Sequence, residues 1–374
     1  MKYTHGKPLI IKLSEVLPDS IECGCKYPHE KAVKAVLIGE IEDCLEKISN
    51  YEIEPPYAIF CDEITYDLLG KKIAGYLKAD SFILKGLFDE SYWLNKLTLY
   101  RTIIGVGGGT VLDAAKYIAY KMSSTYIAIP TAPSNDGILS PMAVLFTREG
   151  RKTFTTRPPL LAIFDLNILK SAPSTLIASG FGDAMAKITS LKDWELGRDE
   201  KGEEYCVTAE RYLLTGINLA LEGLDYYFKG NTIEVQGIID LIHSLIDSGI
   251  AMMLTYSSRP ATGSEHLIGR YFELNYNVPH GIASAIGTII AAGIHQLHNP
   301  HWWNEESYSS SSIIKYCEKA GILEYFKRIK IPMEELINAV INAPKFRPER
   351  YTILHKVKLT KEEVKEIIET TLIF

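Results

Sequence analysis

Short apolar runs alternate with amphipathic stretches through the first part of the chain. The runs at 35–38, 58–61, 81–84, 102–106 and 126–129 have the length and texture of strands buried on both faces. Between them, apolar positions recur at helical spacing, for example over 64–77 and 111–121. Strands alternating with helices predict βαβ units and a parallel sheet. The runs 143–146 and 152–155, separated by a turn at Glu149-Gly150, predict a hairpin, and 161–164 reads as one more strand.

The texture changes after Ser171-Ala172-Pro173-Ser174. Pro173 suits the first turn of a helix, where its missing N–H leaves nothing unsatisfied. From there the spacing predicts helices over roughly 175–192, 203–228, 233–254, 263–272, 281–298, 310–322, 333–342 and 360–371. The serine run at 309–312 supplies an N-cap for one of them. The expected organisation is therefore an α/β domain over 1–171 and a helical domain over 172–374. A chain of 374 residues with 47% apolar content can give each half a core of ordinary size.

Composition narrows the function classes. Lys and Arg number 40 against 46 Asp and Glu, a net charge of −6, so no global basic footprint points to nucleic acid. The longest candidate apolar run, 282–294, falls short of the roughly 18 residues of a membrane span and reads as a buried helix. The N-terminal apolar patch is broken by Lys12 and has no cleavage-like site. No signal peptide and no membrane insertion are expected, and the location expected is cytoplasmic. The six cysteines (Cys23, Cys25, Cys44, Cys61, Cys206 and Cys317) are scattered, without paired C-x-x-C knuckles, and are expected as reduced thiols.

Two loops carry candidate chemistry in the first half. Gly105-Val106-Gly107-Gly108-Gly109-Thr110-Val111-Leu112-Asp113 runs from a strand through a glycine turn into a helix. Glycines let backbone approach a pyrophosphate, and the helix start offers N–H groups and positive dipole to the anion. The same cluster also serves as a tight strand-to-helix turn, and its spacing is not G-x-G-x-x-G. The next strand leads into Pro130-Thr131-Ala132-Pro133-Ser134-Asn135-Asp136-Gly137, continuing to Ser140-Pro141. Ligands bind where parallel strands end, so two such loops from consecutive strands point to a nucleotide site. Asp62 follows another strand and reads equally as a ribose acceptor or a helix N-cap.

In the second half Asp183, His266 and His280 stand out. A carboxylate and two imidazoles with an open position would make a catalytic divalent site. Each taken singly reads as an ordinary polar residue, and spacing alone does not join them. His295, His298 and His301 read as a polar helix end interrupted by Pro300.

Taken together, these motifs resemble the family of sn-glycerol-1-phosphate dehydrogenases. That family lies in the superfamily of polyol dehydrogenases, iron-type alcohol dehydrogenases and dehydroquinate synthases. The resemblance runs from about residue 30 to about 300. It rests on the two loops above, on Gly180-Phe181-Gly182-Asp183 with Asp193-Trp194-Glu195-Leu196, and on Arg259-Pro260-Ala261-Thr262-Gly263-Ser264-Glu265-His266. It implies a parallel Rossmann-like sheet domain plus an all-α C-terminal domain, as in dehydroquinate synthase. It further implies an NAD- or NADP-dependent, zinc-dependent interconversion of dihydroxyacetone phosphate and sn-glycerol 1-phosphate, the backbone of archaeal-type membrane lipids. By the same resemblance, Gly107, Gly108, Gly109, Thr110 and Val111 cradle the cofactor with Thr131, Ala132, Pro133 and Ser134, and Ser140 touches it. Asp136 binds substrate. Asp183, His266 and His280 hold one Zn2+ per chain as the catalytic set, with Asp183 also near the substrate hydroxyls.

One departure from the family pattern is Arg270, where the family has a second histidine one helical turn after His266. A guanidinium there can grip a phosphate, and it can equally mark a different alcohol substrate. Lys187 and Arg259 are further phosphate candidates, each equally readable as a structural ion pair. The expected partner is a phosphorylated triose, and a homo-oligomer is expected. The alternatives are a dehydrogenase of another polyol or phosphorylated polyol, and a non-catalytic nucleotide-binding relative.

Overall fold

A computed structural model of the chain describes residues 8–17, 23–227 and 235–372. The chain divides into two compact units. One runs up to Ala172 but lacks 23–28 and 134–136; the other comprises those two segments and Pro173–Phe374.

The first unit is built on a seven-stranded sheet. Its strands are β1 (Leu9–Lys12), β2 (Ala35–Gly39), β3 (Tyr57–Cys61), β4 (Asp80–Ile83), β5 (Thr102–Gly107), β6 (Thr125–Pro130) and β9 (Leu161–Asp165). The order is β1-β2-β9-β6-β5-β3-β4. All neighbours are parallel except β1 against β2. Every residue of β2, β5 and β9 is buried, which is why these strands read as unbroken apolar runs rather than as alternation. The hairpin β7 (Met142–Thr147) and β8 (Gly150–Thr155) forms a separate antiparallel pair. In the β5–β6 register, Gly107 lies opposite Pro130, so both loops leave the sheet side by side at its carboxyl edge.

The edge strand β1 was not legible as a strand. It is four residues long and ends in Lys12, and its apolar side chains are only partly buried. The helix expected over 64–77 is interrupted: a π-helical turn, Tyr66–Gly70, separates Glu63–Thr65 from Lys71–Leu77.

The second unit is helical. Its first five long helices are α2 (Ser174–Lys201), α3 (Val207–Tyr227), α4 (Val235–Thr255), α5 (Ser264–Tyr276) and α6 (His280–His298); α1 (Gly109–Met122) belongs to the sheet unit. α2 runs well beyond its expected end because its charged tail stays helical until Gly202, at φ +65°, stops it. The helix expected over 310–322 stops earlier. Gly321, at φ 72°, breaks the chain before a further helix, Ile322–Ile329. The expected ends at 228 and 233 lie outside the described residues. α4 is long and apolar enough to span a membrane by length and composition, yet 89% of its apolar window is buried inside the fold. Asp240, His243 and Asp247 interrupt its apolar run.

One histidine near the end of α6 corrects the sequence reading, while His298 and His301 are exposed as expected. His295 is not on a polar face: it is fully buried, its Nε2 is 3.2 Å from the buried Asp193 Oδ1, and its ring stacks on Trp302. The apolar stripe of α6 continues through this position, so the imidazole enters the core with a carboxylate beside it.

Candidate active site

Three helices of the second unit meet at one point. α2 supplies Asp183, α5 supplies His266, and α6 begins with His280. Glycine makes the approach possible. A Cβ on Gly281 would collide with the Ser179 carbonyl of α2, and one on Gly287 would collide with the Glu265 carbonyl of α5. Backbone-to-backbone contact at these two crossings brings one oxygen and two ring nitrogens within 4.8 Å of one another.

The electrostatics of the cluster are set by its neighbours. His266 Nε2 is 3.2 Å from Asp183 Oδ1, and its Nδ1 is 2.7 Å from Glu265 Oε1. His280 Nε2 is 3.9 Å from the same Asp183 oxygen, and its Nδ1 is 2.6 Å from Glu273 Oε1. Each imidazole therefore gives its Nδ1–H to a carboxylate and turns Nε2 toward Asp183. This carboxylate–histidine arrangement fixes tautomer and ring orientation in metal sites. The 3.2 Å separation is close to the roughly 3.3 Å edge of a tetrahedron with ~2.0–2.1 Å metal–ligand bonds. The donor set fits a divalent cation.

Asp183 is fully buried. Burial alone would raise its pKa, but the Lys187 ammonium, followed by the two imidazoles, holds it well below the usual carboxylate range. Burial likewise opposes charge on Lys187, and Asp136 and Asp183 outweigh it to hold the ammonium above its ordinary value. For His266, burial is again outweighed, here by hydrogen bonds to Asp183 and Glu265, and its pKa is pushed up to about 9.

Glu265 is itself anchored, accepting from Gly263 N at 2.6 Å and Thr189 Oγ1 at 2.9 Å. Sequence reading gave neither Glu265 nor Glu273 a role. Glu265→Gln should lower metal affinity about 10- to 100-fold, the usual cost of losing such an outer partner. Titration of the metal-free protein with zinc against a competing chelator measures this. Unchanged affinity would remove Glu265 from the site.

Asp136 adjoins the cluster. Its N–H donates to Asp183 Oδ2 at 2.8 Å, and its Oδ2 receives Ser248 Oγ at 2.6 Å and Lys187 Nζ at 2.8 Å. Lys187, read from sequence as either a phosphate contact or an ion pair, is the ion pair: it is buried between Asp136 and Asp183. Arg259 is also structural, bonded to Glu203 and to the carbonyls of Asp193 and Tyr351. Arg270 lies four residues after His266 on α5, half-buried, with its guanidinium carbon 6.0 Å from the Phe346 ring centroid.

In the sheet unit, α1 starts directly at the end of β5. Gly108 is its N-cap and offers no side chain to the first amides of the helix. A Cβ on Gly107 would strike Val111, whereas one on Gly108 would meet no atom within 4 Å. The amides of Gly109, Thr110 and Val111 thus begin a helix with open space over the turn, the form of an anion cradle. Thr131 N donates to Gly107 O at 3.1 Å, tying the second loop to the first.

The remainder of the motif is an anchor that sequence reading missed. Lys116 Nζ donates to the carbonyls of Gly137 (2.7 Å) and Met142 (2.8 Å), and Asp113 Oδ2 accepts from Val144 N at 2.9 Å. Among the other candidates, Thr131, Ala132 and Ser140 are largely buried, and Ser140 Oγ accepts from Met142 N. Ser134 O accepts from Ser179 Oγ, and the segment 134–136 groups with the helical unit. Asp62 is an N-cap: its Oδ1 accepts from Thr65 N at 2.7 Å in a capping box.

Comparison with known proteins identifies relatives over most of the chain. Residues 34–173 match the family described as iron-containing alcohol dehydrogenase. The glycerol-1-phosphate dehydrogenase [NAD(P)+] of Sulfurisphaera tokodaii is 34% identical over 350 residues, 90% of this chain and 96% of that protein. The enzyme of the same name from Sulfolobus acidocaldarius is 40% identical over 274 residues, 72% of this chain and 74% of that protein. Among solved structures, glycerol dehydrogenase from Schizosaccharomyces pombe shares the fold with a TM-score of 0.70 at 18% identity, over 90% of this chain and 88% of that one. A 1,3-propanediol oxidoreductase does so with a TM-score of 0.71 at 14% identity, over 93% and 99%.

Proposed function

Because the chain belongs to the glycerol-1-phosphate dehydrogenase family, we propose that it interconverts dihydroxyacetone phosphate and sn-glycerol 1-phosphate with NAD or NADP. Asp183, His266 and His280 are the proposed catalytic metal ligands. One observation carries the reading: two imidazoles, each oriented by its own carboxylate, turn toward one buried aspartate. Nitrogen and oxygen donors at this spacing suit a divalent first-row cation, and zinc is the ion proposed.

A divalent cation bound there supplies Lewis acidity to a carbonyl oxygen, and reduced nicotinamide supplies the hydride. The chain's own residues prepare the site for both. Lys187 keeps Asp183 ionised in a buried setting and pairs with Asp136. Glu265 and Glu273 keep both Nε2 atoms turned toward the cluster. Ser248 and Lys187 hold Asp136 through Oδ2, so that a substrate hydroxyl is received at Oδ1. In the sheet unit, the amides of Gly109, Thr110 and Val111 take the pyrophosphate, with Gly107, Gly108, Thr131, Ala132, Pro133, Ser134 and Ser140 completing the cradle. Asp62 meets the adenine ribose while capping its helix. The resulting enzyme is cytoplasmic and homo-oligomeric, and supplies the backbone of archaeal-type lipids.

An absorbance assay with NADH and NADPH tests the reading. It compares dihydroxyacetone phosphate, dihydroxyacetone and glyceraldehyde 3-phosphate, with and without a chelator. The expected result is chelator-sensitive oxidation of the cofactor with dihydroxyacetone phosphate. Turnover indifferent to metal removal would refute it.

A second reading, reduction of an unphosphorylated polyol precursor, is favoured by one feature. Arg270 stands over Phe346, a stacking that can hold a guanidinium for structural reasons alone. Arg270→Ala separates the two. If Arg270 grips phosphate, KM for dihydroxyacetone phosphate should rise roughly 10- to 100-fold, the loss of about 1.5–3 kcal/mol from a charged hydrogen bond. The kinetics with dihydroxyacetone should stay as they were. An unchanged KM for both compounds would favour the second reading.

A further inference from the structure

Three of the six cysteines, scattered in sequence, come together in the helical unit. Cys23 and Cys25 lie on the N-terminal segment that packs with that unit, and Cys206 immediately precedes α3. Cys206 is fully buried and the other two are half-buried. Cys23 Sγ is 2.9 Å from Cys25 Sγ and 3.8 Å from Cys206 Sγ, and all three sulfurs lie within 4.8 Å of one another. Ala209 N donates to Cys206 Sγ at 3.4 Å, so the positive end of α3 faces this sulfur. The two segments are also joined outside the thiols. Lys26 N donates to Glu204 Oε1 at 2.7 Å, and Tyr27 Oη donates to Glu204 O at 2.9 Å.

We infer that Cys23, Cys25 and Cys206 form a second metal site, a structural thiolate site for zinc that staples the N-terminal segment to the start of α3. Two thiolates on a tetrahedral zinc with ~2.3 Å bonds are separated by roughly 3.8 Å. The Cys23–Cys206 pair already has that spacing. The Cys23–Cys25 pair, at 2.9 Å, is well beyond the ~2.05 Å of a disulfide and opens by roughly an ångström to admit the ion. The three sulfurs supply three of the four ligands that a tetrahedral structural zinc takes. The site is distinct in chemistry from the Asp183 cluster, which contains no sulfur. Soft thiolate donors of this kind suit a structural rather than a catalytic ion.

Cobalt substitution of the full chain tests the inference. Only sulfur donors give thiolate-to-cobalt charge-transfer absorption, so the Asp183 cluster is silent in that readout. The intact protein should bind two equivalents of metal and show the band. It should keep the band in Asp183→Asn and lose both the band and one equivalent in Cys23→Ser/Cys25→Ser. A thiol-modifying reagent should release one equivalent of zinc and lower the Tm. If the double variant fails to fold, the spectrum of the intact protein decides alone. Absence of the band from the intact cobalt protein would overturn the site, as would a Cys23–Cys25 disulfide found by mass mapping of zinc-supplied protein.

Discussion

Asp183→Asn should give a folded protein that no longer holds its catalytic metal and has lost at least about a thousandfold in kcat/KM. The magnitude follows from the chemistry assigned to the cation. Polarising a carbonyl oxygen is worth several kcal/mol of transition-state stabilisation, and each 1.36 kcal/mol is about tenfold in rate. The substitution keeps the shape of the side chain, and an amide oxygen can still accept the Asp136 N–H that the carboxylate accepts now. Lys187 is not left without a counter-charge, because Asp136 Oδ2 lies 2.8 Å from it. The loss should therefore appear in metal content and turnover while the circular dichroism spectrum stays that of the parent. Metal analysis after dialysis, paired with the NADH assay, makes the measurement. A variant that retains the cation and turns over at the parental rate would end the assignment of this cluster as the catalytic centre.

The fold was legible where the physics is local. After Thr102, the run 103–106 has no polar position to place on a solvent face and reads as a strand covered on both sides, and β5 is buried throughout. The amphipathic periods likewise mark the helices. Legibility failed where tertiary contact overrides the local pattern. β1 is a strand because β2 offers it an edge, not because of its own composition. His295 sits in the core because Asp193 waits there, 160 positions before Ile353, whose N–H the same carboxylate accepts. The candidate ligands show the same division. Asp183, His266 and His280 each read singly as ordinary polar residues and are joined in sequence only by family resemblance; what joins them in the fold is a pair of helix crossings at Gly281 and Gly287. In sequence those glycines look like ordinary helix residues of a small-residue stretch. The partners that orient the imidazoles were hidden for a related reason. Glu265 is a neighbour of His266 in the chain, and neighbours on a helix ordinarily point apart. Here the carboxylate folds back to bond both its own N-terminal turn and the adjacent ring. The cysteine cluster depends on contacts between positions 183 residues apart, and no local pattern reports them.

Lys187→Met should separate stability from metal binding in the same cluster. Lys187 is buried between two carboxylates, bonded to Asp183 Oδ1 at 2.7 Å and to Asp136 Oδ2 at 2.8 Å. Methionine fills a similar volume without charge, leaving Asp136 and Asp183 facing each other with their shared cation gone. Breaking a buried pair from one side in this way costs about 3–5 kcal/mol. That cost falls on the metal-free protein. A divalent cation at Asp183 restores positive charge next to the carboxylates, and it no longer competes with an ammonium for the same oxygen. The variant should thus melt well below the parent in chelator, recover most of the difference in zinc, and bind zinc more tightly than the parent once folded. Differential scanning calorimetry of both proteins in chelator and in zinc gives the four values needed. The signature is a larger metal-induced rise in Tm for the variant, since ligand stabilisation of the folded state grows with the logarithm of the affinity. Equal losses in chelator and in zinc would mean that Lys187 serves packing alone and that the charge balance drawn around Asp183 is wrong.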